Sequence, residues 1–293
     1  MTTPVIDDVA LIFEGGGMRA SQTAAVVVAL LKAGLDFGWA AGISAGASHL
    51  VNYLSGDAER SRKSFVEFAD DPQIGGYISF LRGKGLFNSH YIYEQAGLPG
   101  GVLPFDFAAF AAHPARRRIG AFEAESGRTV YWSEADLRTL PDLMRRVRAS
   151  STMPMLMPPT LIDGQTYFDG AIGVNGGIAL DVARGEGFRR FFVVLTRERA
   201  YIKPPARLPA VYRAWFRRHP AVADGVINRW RHYNQVRQEL FDLERDGQAL
   251  VFAPDVALAT NRTRSVPRLR AAYDAGWDQA QRELPRWRDF LGR

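Results

Sequence analysis

Short apolar runs broken by glycine alternate with stretches of helical spacing along the first fifth of the chain. Val9 to Phe13 is apolar throughout and is interrupted at once by Glu14-Gly15-Gly16-Gly17, the mark of a strand buried on both faces. From Ala20 to Leu31, Ala24, Val27, Val28 and Leu31 recur at helical spacing, and Gly34 supplies a stop. Trp39 to Ile43 predicts a second strand, Ser44 a turn, and Ala45 to Leu54 a second helix. This alternation argues for a parallel sheet with helices on its faces. Phe37 to Gly56 carries no Asp, Glu, Lys or Arg and has the length of a bilayer span. Its glycines and serines, with His49 and Asn52, make it a buried strand, turn and helix instead.

Farther along, Arg60 to Asp70 predicts a helix, and Gly75-Gly76 and Gly83-Lys84-Gly85 predict loops. Arg118 to Phe122 and Thr129 to Trp132 read as strands, and Pro141 to Ala149 as a helix opened by proline. Leu161-Ile162 and Thr166-Tyr167-Phe168 flank Asp163-Gly164, the signal of a hairpin with a type I′ turn. Phe191 to Leu195 and Ala249 to Ala253 are the remaining strands. With no internal repeat, low-complexity tract or linker, residues 1–293 are expected to form one domain, its core about 7–200 and a helical extension about 201–293.

Composition narrows the chemistry. Hydrophobic residues are 47% and charged residues 23% of the 293, the balance of a globular protein and not of a disordered one. The absence of cysteine excludes a disulfide framework, a thiolate nucleophile and any Cys-ligated metal. The formal charge of +6, carried mostly by arginine, attracts phosphates. No zinc-finger spacing, heptad-bearing basic region or aromatic RNA-binding motif accompanies it, so nucleic acid is not expected as a partner. Between Tyr201 and Asp246, basic residues such as Lys203, Arg213 and Arg217 interleave with Tyr212, Trp215, Phe216 and Trp230. That pattern suits a peripheral contact with a membrane surface; a helix packing its aromatics on the sheet is the commoner use and the preferred one. The N-terminus lacks a basic region followed by an apolar one, so a cytoplasmic location is expected.

Gly42-Ile43-Ser44-Ala45-Gly46 is a G-x-S-x-G pentapeptide between a predicted strand and a predicted helix, where the turn strains the serine and only small neighbours fit. Gly15-Gly16-Gly17-Met18-Arg19 follows the first strand, and its amides are free to face an oxyanion, as acyl transfer requires. Arg19 either binds a phosphate or caps the loop. The same loop fits a dinucleotide fingerprint through Gly15, Gly17 and Ala20, with Asp36 as the acidic partner. Asp36 precedes the second strand, whereas a ribose contact belongs at its end, so a nucleotide-dependent oxidoreductase ranks below a hydrolase. Of the five histidines, His49 is expected to face away from Ser44, and His219 and His232 lack a strand-end context. Asp169-Gly170, after the strand at Thr166 to Phe168, is the better candidate for a base, with a plain turn aspartate as its bland alternative.

Four blocks in order now resemble the patatin-like phospholipase family: the Gly15-Gly16-Gly17-x-Arg19 loop, the Gly42-x-Ser44-x-Gly46 elbow, Ala149-Ser150-Ser151-Thr152-Met153-Pro154 running on to Pro158-Pro159, and Asp169-Gly170-Ala171. The resemblance implies a three-layer α/β/α fold with a mainly parallel sheet and a mostly helical C-terminal region. It implies a lipid acyl hydrolase with a Ser44–Asp169 dyad, an oxyanion loop at Gly15 to Gly17, a proline-bearing active-site strand, and no metal or cofactor. Fatty acyl esters would be the substrates, and a lipid-binding module without turnover is the non-catalytic alternative. The chain departs from the family at Ala171, where a second glycine is usual, and at Thr152 and Met157, where Ala and Phe are more frequent. It also lacks the usual proline near Asn175-Gly176-Gly177, while Arg270 to Gly276 resembles the longer bacterial members.

Overall fold

A computed structural model describes residues 4–76, 79, 83 and 85–293; the predicted loop residue Lys84 lies outside them. In chain order the main elements are β1 (Val9–Phe13), α1 (Ala20–Lys32), β2 (Trp39–Ile43), α2 (Ala45–Leu54), α3 (Ala58–Phe65), α4 (Phe107–Ala112), β3 (Arg116–Glu123), β4 (Arg128–Trp132), α5 (Leu140–Ser150), β5 (Thr160–Ile162), β6 (Gln165–Asp169), α6 (Leu180–Gly185), β7 (Arg190–Val194), α7 (Pro209–Trp215), α8 (Pro220–Arg245), β8 (Ala249–Phe252) and α9 (Val266–Leu291). The described residues form an eight-stranded sheet in the order β5-β6-β3-β2-β1-β7-β8, with β4 also paired to β3. Pairs from β3 through β2, β1 and β7 to β8 are parallel, and those joining β4, β5 and β6 are antiparallel.

The apolar strands are continuous because both faces are covered. Val9, Leu11 and Phe13 point to a core shared with α1, α2, α5 and α9, whereas Ala10 and Ile12 point to one shared with α6 and α8. Three layers follow from this alternation. Asp163 and Gly164 carry φ of 50° and 80°, and Ile162 pairs with Gln165 across them, giving the expected two-residue turn.

The predicted helix at Arg60 to Asp70 is divided. Its α-helical part ends at Phe65, and Glu67 to Asp70 continues as a 3₁₀ turn. The tighter turn aligns Val66 with Ala69, three residues apart, against Leu269 and Ala272 of α9. That last helix crosses α1, and Trp287 wedges its ring 5.2 Å from that of Phe192.

Gly276 marks the closest approach of α9 to α1, where an added Cβ would overlap the carbonyl of Gln22. Alanine there gains about 1 kcal/mol of helix propensity but overpacks the crossing at a cost of about 1–3 kcal/mol. Gly276→Ala should therefore lower Tm by calorimetry. Gly185→Ala, with open space around it, should not.

Candidate active site

Ser44 sits between β2 and α2 with φ 59° and ψ −127°, a conformation that costs an L-residue about 1–3 kcal/mol. Two glycines allow it. A Cβ on Gly42 would overlap the carbonyl of Gly46, and one on Gly46 would overlap that of Phe13. The Ser44 amide donates to Ser150 Oγ at 2.9 Å, and the Ser150 hydroxyl donates to the Gly120 carbonyl at 2.6 Å. Ser150 thus ties the elbow to β3. The proline-bearing strand expected from Ala149 to Pro154 is not a strand. Ala149 and Ser150 close α5, and the chain then runs irregularly past Met155 at φ 65°, because Pro154, Pro158 and Pro159 offer no amides to a ladder.

Asp169 arrives by register. Residues 119 and 120 of β3 pair with β2 and β4, and residues 121 to 123 pair with β4 and β6. Since β4 occupies one edge throughout, β2 and β6 follow one another along the other, Ile43 opposite Gly120 and Asp169 opposite Ala121. Ser44 Oγ donates to Asp169 Oδ2 at 2.7 Å, and Asp169 Oδ1 accepts the Ala171 amide at 2.9 Å. The Asp169 amide donates to the Thr152 carbonyl at 2.8 Å. Burial pushes the Asp169 carboxyl above the usual range, against Arg229 and these hydrogen bonds, which pull it down.

The Gly15–Gly17 loop lies against the elbow: a Cβ on Gly15 would stand 2.7 Å from that of Ser44. Among the described residues no acceptor takes the amides of Gly15 or Gly16. Gly17, at φ 55°, is pressed by the Asn261 carbonyl, which also accepts the Met18 amide at 3.3 Å. Beside Ser44 opens a cavity of about 110 Å³, walled largely by apolar side chains such as Phe65, Phe68, Ile74, Phe87 and Met157. Tyr93, Asn261 and Arg264 complete it, none of them signalled by a motif. Burial, and next Ser151 and Asp169, govern the Tyr93 hydroxyl, which is pushed up to about 12. Met157 lines the cavity, but Thr152 does not; its hydroxyl donates to the Arg148 carbonyl and meets Thr160 Oγ1 at 2.7 Å. Ala171 packs its methyl against Gly177.

Other candidates stay apart. His49 is buried against Thr23, its Nε2 2.8 Å from the hydroxyl, and burial pushes it down to about 3. None of the five histidines lines the cavity or bonds Ser44 or Asp169. Asp36, 3.3 Å from His113, lies at the amino end of β2, a strand's length or roughly 17 Å from the glycine loop. Arg19 does not line the cavity; burial, then Arg197, push it down to about 10. Among the described residues no cluster of three or more His, Asp or Glu is placed to hold a metal, and no helix is long and apolar enough to cross a membrane.

Because the folded state holds the Asp169 proton more tightly than the unfolded chain, stability is lost as pH rises from the ordinary carboxylate range through the raised value. Asp169→Asn removes that loss. In urea titrations the variant should exceed wild type by more at pH 7 than at pH 4. An equal margin at both would mean that burial of the carboxylate carries no such cost.

This fold has relatives among known proteins. The model for patatin-like phospholipases matches residues 11–182, and one described only as a domain of unknown function matches residues 219–292. YjjU, an uncharacterised protein of Escherichia coli (strain K12), is 24% identical over 199 residues, 64% of this chain, and the chain spans about half of it (52%). The crystal structure of VipD from Legionella pneumophila is 12% identical, with a TM-score of 0.51 over 95% of this chain and 67% of that one, a likeness of fold. Since its family model covers more than half of the 293 residues, the chain belongs to the patatin-like phospholipase family.

Proposed function

We propose that the chain is a lipid acyl hydrolase of phospholipase A, lysophospholipase or carboxylesterase type, with Ser44 as nucleophile and Asp169 as base. The observation that carries this reading is the 2.7 Å hydrogen bond from Ser44 Oγ to Asp169 Oδ2 at the edge of an apolar cavity. Ser44 Oγ attacks the acyl carbonyl while Asp169 takes its proton, and the charge on the carbonyl oxygen meets the amides of Gly15 to Gly17. Each such donor contributes about 3–4 kcal/mol. The tetrahedral species expels the alcohol with the Asp169 proton, leaving an acyl-Ser44 ester that water, deprotonated by the same carboxylate, then hydrolyses. A carboxyl raised by burial suits this work better than an ordinary one. The wedge of Trp287 between β7 and β8 supports reading the chain as one domain.

Two other readings have weaker support. A nucleotide-dependent oxidoreductase needs Asp36 near the glycine loop, and the two lie at opposite ends of the β1–β2 pair. A lipid-binding module without turnover has no use for the strained Ser44. Hydrolysis of p-nitrophenyl butyrate by wild type, Ser44→Ala and Asp169→Asn separates them. Both variants should lose at least about a hundredfold in kcat/KM; a fully active Ser44→Ala would remove the assignment.

A contact with a membrane surface belongs to the same proposal. On α7 and its approach, Leu208, Val211 and Trp215 share one helical face and are 63%, 44% and 59% exposed. Tyr212 and Phe216 pack inward, with Phe216 5.6 Å from Phe168, the neighbour of Asp169 in β6. Arg207, Arg213, Arg217 and Arg218 are exposed beside the stripe and make no ion pair among the described residues. Removing two of these charges costs about 2 kcal/mol at an anionic surface. Arg213→Gln with Arg217→Gln should therefore weaken sedimentation with phosphatidylglycerol vesicles about thirtyfold, and unchanged binding would discard the contact.

A further inference from the structure

The direction of strand addition reverses at β1, with β2 on one side and β7 on the other. Open α/β sheets take ligands in the crevice beyond the carboxyl ends of the strands at such a reversal. Here that region gathers cations that the proposed hydrolysis leaves unused. Arg19 follows β1, Arg197 and Lys203 follow β7, and Arg229 comes from α8. Lys203 is within electrostatic reach of all three arginines, and none of the four lines the acyl cavity.

Three of them are held in place. Arg229 Nε donates to the Ala171 carbonyl at 2.9 Å. The Arg197 guanidinium lies 4.1 Å from the centre of the Tyr201 ring, and the Lys203 ammonium 5.5 Å from that of Tyr233. Those two rings meet edge to face at 6.2 Å. Arg19 Nε is buried without an acceptor.

The charge is not balanced. Among the described residues none of the four makes an ion pair within 4.0 Å. Glu14 faces them, 3% exposed, and favours the charged forms of Arg19 and Lys203, but it is one carboxylate against four basic groups; its Oε2 also accepts the Thr196 amide at 2.5 Å and hydroxyl at 3.1 Å. Asp169 is reached by Arg229 alone of the four, and it accepts from Ser44. Burial and then Arg229, Arg19 and Arg197 push Lys203 down to about 7, against Glu14, which pulls it up. Cations in excess of their counter-charge are stabilised by an anion with several acceptor oxygens, and three guanidinium forks suit a tetrahedral dianion.

We propose that Arg19, Arg197, Lys203 and Arg229 form a phosphate-binding site outside the acyl cavity. The phosphate belongs to the headgroup side of a phosphorylated lipid ester or is free inorganic phosphate. Only the first case rests on the hydrolase reading.

Thermal melts and calorimetric titration with inorganic phosphate, against sodium chloride of equal ionic strength, test the site without any turnover. Wild type and Ser44→Ala should gain at least about 2 °C in Tm at 10 mM phosphate. Arg197→Gln and Lys203→Gln should each lose that gain while still melting cooperatively. The source is read from kcat/KM on 1-palmitoyl lysophosphatidate relative to 1-palmitoylglycerol. A ratio at least about tenfold lower in both variants assigns the site to the headgroup; an unchanged ratio with lost phosphate binding assigns it to free phosphate. The site is refuted if phosphate shifts Tm no more than chloride and the ratio is unchanged, or if both variants bind phosphate as wild type does. Absence of ester hydrolysis in wild type would count against the Ser44–Asp169 assignment while the melts still decide this site.

Discussion

Two strands of opposite sense end against one edge of β3, and the junction leaves no slack. Gly120 faces Ile43 on that edge, and its carbonyl would lie 2.7 Å from a Cβ on Gly170. A Cβ at 170 would press on the Gly120 carbonyl and Ile43, and one at 120 on Ile43 and Tyr131, so neither position has room for a larger residue. The separation of Ser44 and Asp169 is thus set by backbone pairing before either side chain chooses a rotamer. The Ser150 hydroxyl adds a second constraint, because it reaches the Ser44 amide and the Gly120 carbonyl together. Hydrogen bonds of this buried kind contribute about 1 kcal/mol each, and leaving their partners unpaired costs more.

Much of this architecture is written locally. The runs at Val9 to Phe13 and Trp39 to Ile43 end within one residue of breakers, and the elements begin and end at those residues. The elbow is legible because its steric demand falls on residues two positions from Ser44. Asp163-Gly164 is legible because its turn demands two positive φ angles. Tyr93, Asn261 and Arg264 were not. They come from irregular chain, and what makes them part of the cavity is the packing of distant segments. The proline-bearing block is an irregular run where a strand was expected, since a strand and an irregular run of prolines share an extended texture. The family resemblance supplied what periodicity lacked, namely which aspartate to prefer.

The electrostatics divide the site in two. On the cavity side, apolar walls raise the Asp169 carboxyl and leave Ser44 with one strong acceptor. On the other side, arginines and Lys203 crowd a stretch that follows β1 and β7. The glycine loop forms the boundary: it lies against Ser44 and runs directly into Arg19.

Asn261 touches that boundary from the far end of the chain, its carbonyl accepting the Met18 amide and lying against Gly17. A ribosome that has released the first two hundred residues has exported Ser44 and Asp169 but not the turn that packs on the glycine loop beside Ser44. The site therefore matures late in synthesis, and a chain arrested before this turn would carry Ser44 and Asp169 without the part of the cavity wall that Asn261 and Arg264 supply.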